Sequence, residues 1–133
     1  MKTDQEIKTE IFEYIKGSTL EDAVSGVLTK RKRPLNSKCE DIVITVLANR
    51  NEQKQQAFVN VNIYVPDLNV KKNGQYEENG ERIEILEKLS SEFLNVFWVG
   101  PARISLEEQH TFEAPNGVEH IINNKLLYQI EII

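Results

Sequence analysis

Cysteine is nearly missing from this sequence: Cys39 stands alone among 133 residues. One thiol cannot close a disulfide within the chain, nor build a zinc centre of the two- or four-cysteine kind. This excludes a secreted disulfide scaffold and points to synthesis in a reducing cytoplasm. Long apolar runs are missing too, since none approaches the roughly 18 residues of a membrane span. The opening Met1-Lys2-Thr3-Asp4-Gln5-Glu6 has no apolar signal core. The six glycines are scattered and form no phosphate-cradling loop. Basic charge is in deficit: the net charge of −5 argues against general nucleic-acid binding.

What is present reads as globular. Apolar residues make up 40% and charged residues 28%. A chain of this length suits a single domain over 1–133, burying roughly two-thirds of its unfolded surface without help from metal or disulfide. The charge is uneven. Residues 1–76 carry 12 basic and 10 acidic side chains, whereas 77–133 carry 4 basic and 11 acidic. Such polarity suits head-to-tail contacts between copies, and a solvated surface explains it equally well.

The chain has no internal repeat. Ile7, Ile11, Tyr14 and Ile15 form one apolar stripe, so Thr3 to Lys16 is predicted helical, with a Thr3/Glu6 capping box and Gly17 as the stop. Ser18 to Ser25 is a turn with at most one helical turn around Leu20 to Val24. Gly26 to Arg33 is expected to be a strand that Pro34 ends. Ile42 to Leu47 is β-branched and apolar throughout, the pattern of a central strand covered on both faces. Asn49 to Gln56 reads as a polar connection. Ala57 to Val65 alternates, with Val59, Val61, Ile63 and Val65 on one face. Leu68 to Asn79 is polar and is expected to be an exposed, mobile loop.

A second helix is predicted over Gly80 to Asn95, capped by Asn79, with Arg82, Ile85, Leu86, Leu89 and Phe93 on its stripe. Val96 to Val99 is an apolar run stopped by Gly100-Pro101. Arg103 to Glu113 alternates around Ile104, Leu106, His110 and Phe112 as a strand. Ala114-Pro115-Asn116-Gly117 is a turn, and Val118 to Ile133 returns as one or two strands, with Asn123-Asn124 the place for a break. The order predicts an α+β fold: a largely antiparallel sheet with two helices packed on one face.

Residues able to carry chemistry are few. Cys39 as a nucleophile needs a histidine within reach, and only His110 and His120 exist; the plainer reading packs it as a small apolar group at a strand start. The two histidines, with Glu108 or Glu119, have the ligand types for zinc but not its usual close spacing. The adjacent acids Glu40-Asp41 and Glu107-Glu108 point to opposite faces if extended, so they are poor cooperating pairs, and Glu40-Asp41 suits capping of a loop. No enzyme activity, cofactor or metal is expected. Lys30-Arg31-Lys32-Arg33 is the densest charge run. It suits protection of an edge strand, a contact to the acidic half of another subunit, or phosphate contact. No aromatic residue interleaves for base stacking. Within Val96-Phe97-Trp98-Val99, core packing is the ordinary reading, and Trp98 as a partner anchor is the alternative.

One succession goes beyond fold class. A short N-terminal helix leads through Arg33-Pro34-Leu35-Asn36-Ser37 into Glu40-Asp41-Ile42-Val43-Ile44. The strand Val59 to Val65, a charged amphipathic helix and a C-terminal hairpin follow. In size and order this resembles the tail-terminator, or tail-completion, proteins of long-tailed bacteriophages and prophages, over nearly the whole chain. The resemblance rests on element order and one proline-to-strand phrase, without a catalytic signature. It implies a structural protein, made in the bacterial cytoplasm and carried in the virion tail. Its copies form a ring, commonly a hexamer, at the head-proximal end of the tail tube, ending polymerisation and meeting the head connector. The implied partners are further copies, tail-tube and head-connector proteins, with no membrane and no specific nucleic acid. Lys30, Arg31, Lys32, Arg33 and Trp98 are the expected subunit contacts. The alternative is a small bacterial binding module or assembly adaptor outside phage biology.

Overall fold

The computed structural model describes residues 1–131 and is α+β, with three helices and one six-stranded mixed sheet. The helices are α1 (Asp4–Ile15), α2 (Thr19–Ala23) and α3 (Gly80–Phe93). The strands are β1 (Leu28–Thr29), β2 (Ile42–Asn51), β3 (Lys54–Pro66), β4 (Val96–Val99), β5 (Ala102–Glu113) and β6 (Glu119–Glu131). Their order across the sheet is β1-β2-β3-β6-β5-β4. Only the β1–β2 pair is parallel.

Local chemistry sets the boundaries. The Thr3 hydroxyl accepts from the Glu6 amide at 3.2 Å and the Glu6 carboxylate accepts from the Thr3 amide at 3.1 Å, closing the expected capping box on α1. Gly17, at φ +75°, turns the chain out of α1 in a conformation a side chain would disfavour. Ser18 caps the short α2 and Asn79 caps α3. The Gly117 amide closes the predicted turn onto the Ala114 carbonyl at 3.0 Å.

The core lies between the helices and one sheet face. Ile7, Ile11 and Ile15 of α1 and Ile83 and Leu86 of α3 meet Val59, Val61, Ile63, Ile122 and Leu126. Both long helices therefore cover the same face, as expected. Tyr14 joins them: its ring stacks on Phe97 at 3.8 Å, and its hydroxyl donates to the Phe93 carbonyl at 3.3 Å. Beneath α3 lies a polar knot. Buried Asn124 donates to the Val61 carbonyl at 3.4 Å and accepts from Gln109 at 2.8 Å, and Gln109 also donates to Ser90 at 3.1 Å.

Several expectations are corrected. The strand over 26–33 shrinks to Leu28–Thr29, because Asp41 takes the Val27 amide at 2.8 Å and Arg33 is drawn off to ionic partners. Residues 49–56 are the end of β2, a tight turn and the start of β3, with no long connection. Asn49 and Gln55 face inward there and bind the Lys2 carbonyl at 3.0 and 2.6 Å, so polarity marks a hydrogen-bonding task. β2 is not covered throughout: after Ile42, Val43 and Ile44 it reaches solvent, and Leu47 stands exposed at a bulge.

The buried stripe of α3 is Ile83, Leu86 and Ser90, continued by Leu94, and Ile85 faces out. The Asn123-Asn124 pair does not interrupt β6. Cys39 is exposed in the loop before β2 and does not pack as a core residue. Ile132 and Ile133, the end of the predicted last strand, lie outside the described residues.

Candidate functional site

The second face of the sheet carries no helix. Strand alternation and register assemble it in rows, because directly paired residues share a face. One row is Arg50, Gln56, Gln129, Arg103 and Trp98, running from β2 to β4 across the sheet. The next is Ala48, Phe58, Leu127, Ser105 and Val96, mostly apolar. Beyond it come Thr45, Asn60, Lys125 and Glu108, then Val43, Asn62, Asn123 and His110. Tyr64, Ile121 and Phe112 finish the face.

These side chains are tied to one another. Asn123 donates to Asn60 at 3.0 Å and to Asn62 at 2.7 Å. The Lys125 ammonium sits 4.7 Å from the Phe58 ring centre. At the β4 edge the ties end: Trp98 is 62% exposed and Val96 48%. Trp98, Lys54, Pro101, Arg103, Gln129 and Glu131 line an open groove of about 270 Å³. The chemistry offered is a flat aromatic with two cations beside it.

The opposite end of this face is closed by the loop before β2. Arg33 lies over Tyr64, its guanidinium carbon 4.0 Å from the ring centre. It donates to Asp41 and to Glu119, each at 2.8 Å. Burial pushes the Asp41 carboxyl up. The hydrogen bonds from Ser37, the Val27 amide and Arg33, with the Arg33 charge, outweigh that and hold it below its ordinary value. Glu40 forms the parallel clamp on the helix side, pairing with Arg82 of α3 at 2.5 and 2.9 Å. The two acids do fasten the loop, each through its own arginine.

The expected site residues are therefore divided. Lys30 donates to Thr9 of α1 at 2.7 Å and lies over Phe12. Arg33 is engaged in the buried cluster. Only Arg31 and Lys32 of the run face solvent. Trp98 is exposed, so the core reading of that residue gives way, while Phe97 beside it is buried. His110 and His120 do not meet. The bulge at Glu107 shifts the alternation of β5, leaving His110 and Phe112 outward and Gln109 and Thr111 toward α3. His120 faces the other way and binds Asp67 at 2.6 Å. Zinc binding by the pair is excluded by these opposed faces. Among the described residues, no group of three or more His, Cys, Asp or Glu side chains is placed to hold a metal ion. No described helix is long and apolar enough to cross a membrane.

Arg50 and Arg103 went unmarked as surface residues in the sequence, and Ile85 was expected on the apolar stripe of its helix but is exposed. Their positions depend on register and on helix rotation, for which single residues give no signal. Alternation in 119–131 alone would have put Lys125, Leu127 and Gln129 on one side. Compared with protein-family models and with curated proteins, the chain has no match.

Proposed function

We propose that the chain is a structural tail-completion protein of a long-tailed bacteriophage or prophage. Its copies form a ring at the head-proximal end of the tail tube, end polymerisation there and offer a surface to the head connector. The observation that carries this reading is a sheet with one face left uncovered and edged by Trp98, 62% exposed. An exposed aromatic beside cations is the composition of a contact anchor. The order of elements, helix then strands then amphipathic helix then hairpin, supports the resemblance on which the reading rests. The loop between Asp67 and Asn79, exposed along 68–78 and tied by its Leu68–Glu77 bridge, is the segment that would order on assembly. The reading assigns no catalytic role and no cofactor.

The test is co-assembly with a tail-tube protein of the same phage or prophage. Electron microscopy should show rings capping one end of the tubes, and tubes of uniform length. Tubes that grow unchanged in the presence of excess protein would overturn the reading.

A further inference from the structure

We infer that the uncovered sheet face of one copy receives the exposed stripe of α3 from a second copy, with Ile85 seated against Trp98. The purpose of this contact rests on the ring reading above; the contact itself is separately testable. Two unlike surfaces of the same chain carry the argument. On the sheet, the row ending in Trp98 brings Arg50 and Arg103 to one side, and Lys54 with Glu131 closes the groove. That end is basic, three cations to one carboxylate, on a chain whose net charge is −5.

On the helix, Glu81, Glu84, Ile85, Lys88 and Glu92 are all exposed. Their spacing of three, four, seven and eleven positions puts them on one stripe. The stripe is acidic, three glutamates to one lysine, around an isoleucine that is 54% exposed. An apolar knob ringed by carboxylates matches an aromatic groove ringed by arginine and lysine in both shape class and charge. The neighbouring row of Ala48, Phe58, Leu127 and Val96 would be covered by the same helix, repeating on this face the helix-on-sheet packing of the subunit itself. Ion pairs at such a rim are weak individually, so burial of Trp98, Ile85 and the apolar row supplies affinity while charge sets orientation. The two surfaces lie on opposite layers of the fold. The contact is therefore heterologous, the kind that propagates from copy to copy and closes into a ring when the rotation allows.

The experiment is a mixed cross-link. In a Cys39→Ser background, one protein carries Trp98→Cys and another Ile85→Cys, both at solvent-exposed sites. Oxidation of the mixture should give a disulfide heterodimer, while each protein alone stays uncross-linked. No heterodimer, or a dimer from the Trp98→Cys protein alone, overturns the inference. A second arm leaves both residues intact. Arg103→Glu should weaken association about tenfold, measured by sedimentation at low salt, and Glu84→Arg in the mixing partner should restore it. Failure of that rescue also overturns it. Capped tubes without the cross-link would leave the tail reading standing and this contact rejected. The cross-link without capping would do the reverse.

Discussion

Arg33 donates to Glu119 at 2.8 Å across 86 positions of sequence, pinning the loop before β2 to the start of the last strand. The same guanidinium holds Asp41, whose side chain is only 1% exposed. Two of its neighbours in the basic run, Arg31 and Lys32, are exposed and form no ion pair among the described residues. Four residues of one charge thus have unequal tasks, and the difference can be measured.

Arg33→Ala should destabilise the fold by roughly 3–5 kcal/mol, because it leaves two buried carboxylates without their cation. Arg31→Glu and Lys32→Glu should each stay within about 0.5 kcal/mol of the parent. Urea denaturation of the three variants decides this. A mild Arg33→Ala would mean that the ion cluster is solvated in solution.

Gly26→Ala should be destabilising at the same locus. A Cβ there would lie 2.0 Å from the Asp41 carboxylate oxygen and 2.5 Å from the Glu40 carbonyl. The Gly26 amide already donates to that carbonyl at 2.8 Å, so the backbone has little room to retreat. A loss of roughly 1–3 kcal/mol, as for overpacking, is expected, and thermal unfolding would read it. Gly80→Ala, whose Cβ meets nothing within 4 Å, is the control and should not lower stability.

The adjacent residues Asn123 and Asn124 should respond differently to alanine. Asn124 is fully buried beneath α3, and its loss takes one buried hydrogen-bond partner each from the Gln109 amide and the Ser90 hydroxyl, leaving Glu87 and each other to hold them. The cost should be roughly 1–3 kcal/mol. Asn123 binds Asn60 and Asn62 on the open face, where water can replace it, and the change should be well under that. Equal losses would show that the face assignment is wrong.

Acid should loosen the loop before β2 through Asp41. Its carboxyl is held below the ordinary aspartate value of 3.8, so the unfolded chain takes up a proton at a higher pH than the folded one. The stability it contributes is complete above that value and is lost as pH falls through the lowered one. Asp41→Asn should lower stability at neutral pH and flatten the fall below about pH 4. An unchanged acid limb in that variant would assign the loss to other carboxylates.

Much of the fold follows from local rules. The Thr3/Glu6 box, the Gly17 stop, the Asn79 cap and the 114–117 turn act within a few residues, and each is formed as its sequence implies. The alternation of Val59, Val61, Ile63 and Val65 selects a buried face by itself, since burial on one side of a strand has a period of two. Helix spacing announces α3 but not its rotation. Ile83 and Ile85 are equally apolar, and only the helix's seat on β3 and β6 buries one and exposes the other. The bulges at Leu47 and Glu107 depend on partner strands, and the one at Glu107 reversed the expected side of His110 and Phe112. Arg33 could not be told from Arg31 or Lys32, because its carboxylates at 41 and 119 meet only when β2 pairs with β3 and β3 with β6. The Arg50-to-Trp98 row is likewise a product of register across five strands. Sequence determined the elements through interactions a few residues long, and tertiary structure decided the surfaces, because a surface is made by neighbours that the chain keeps far apart.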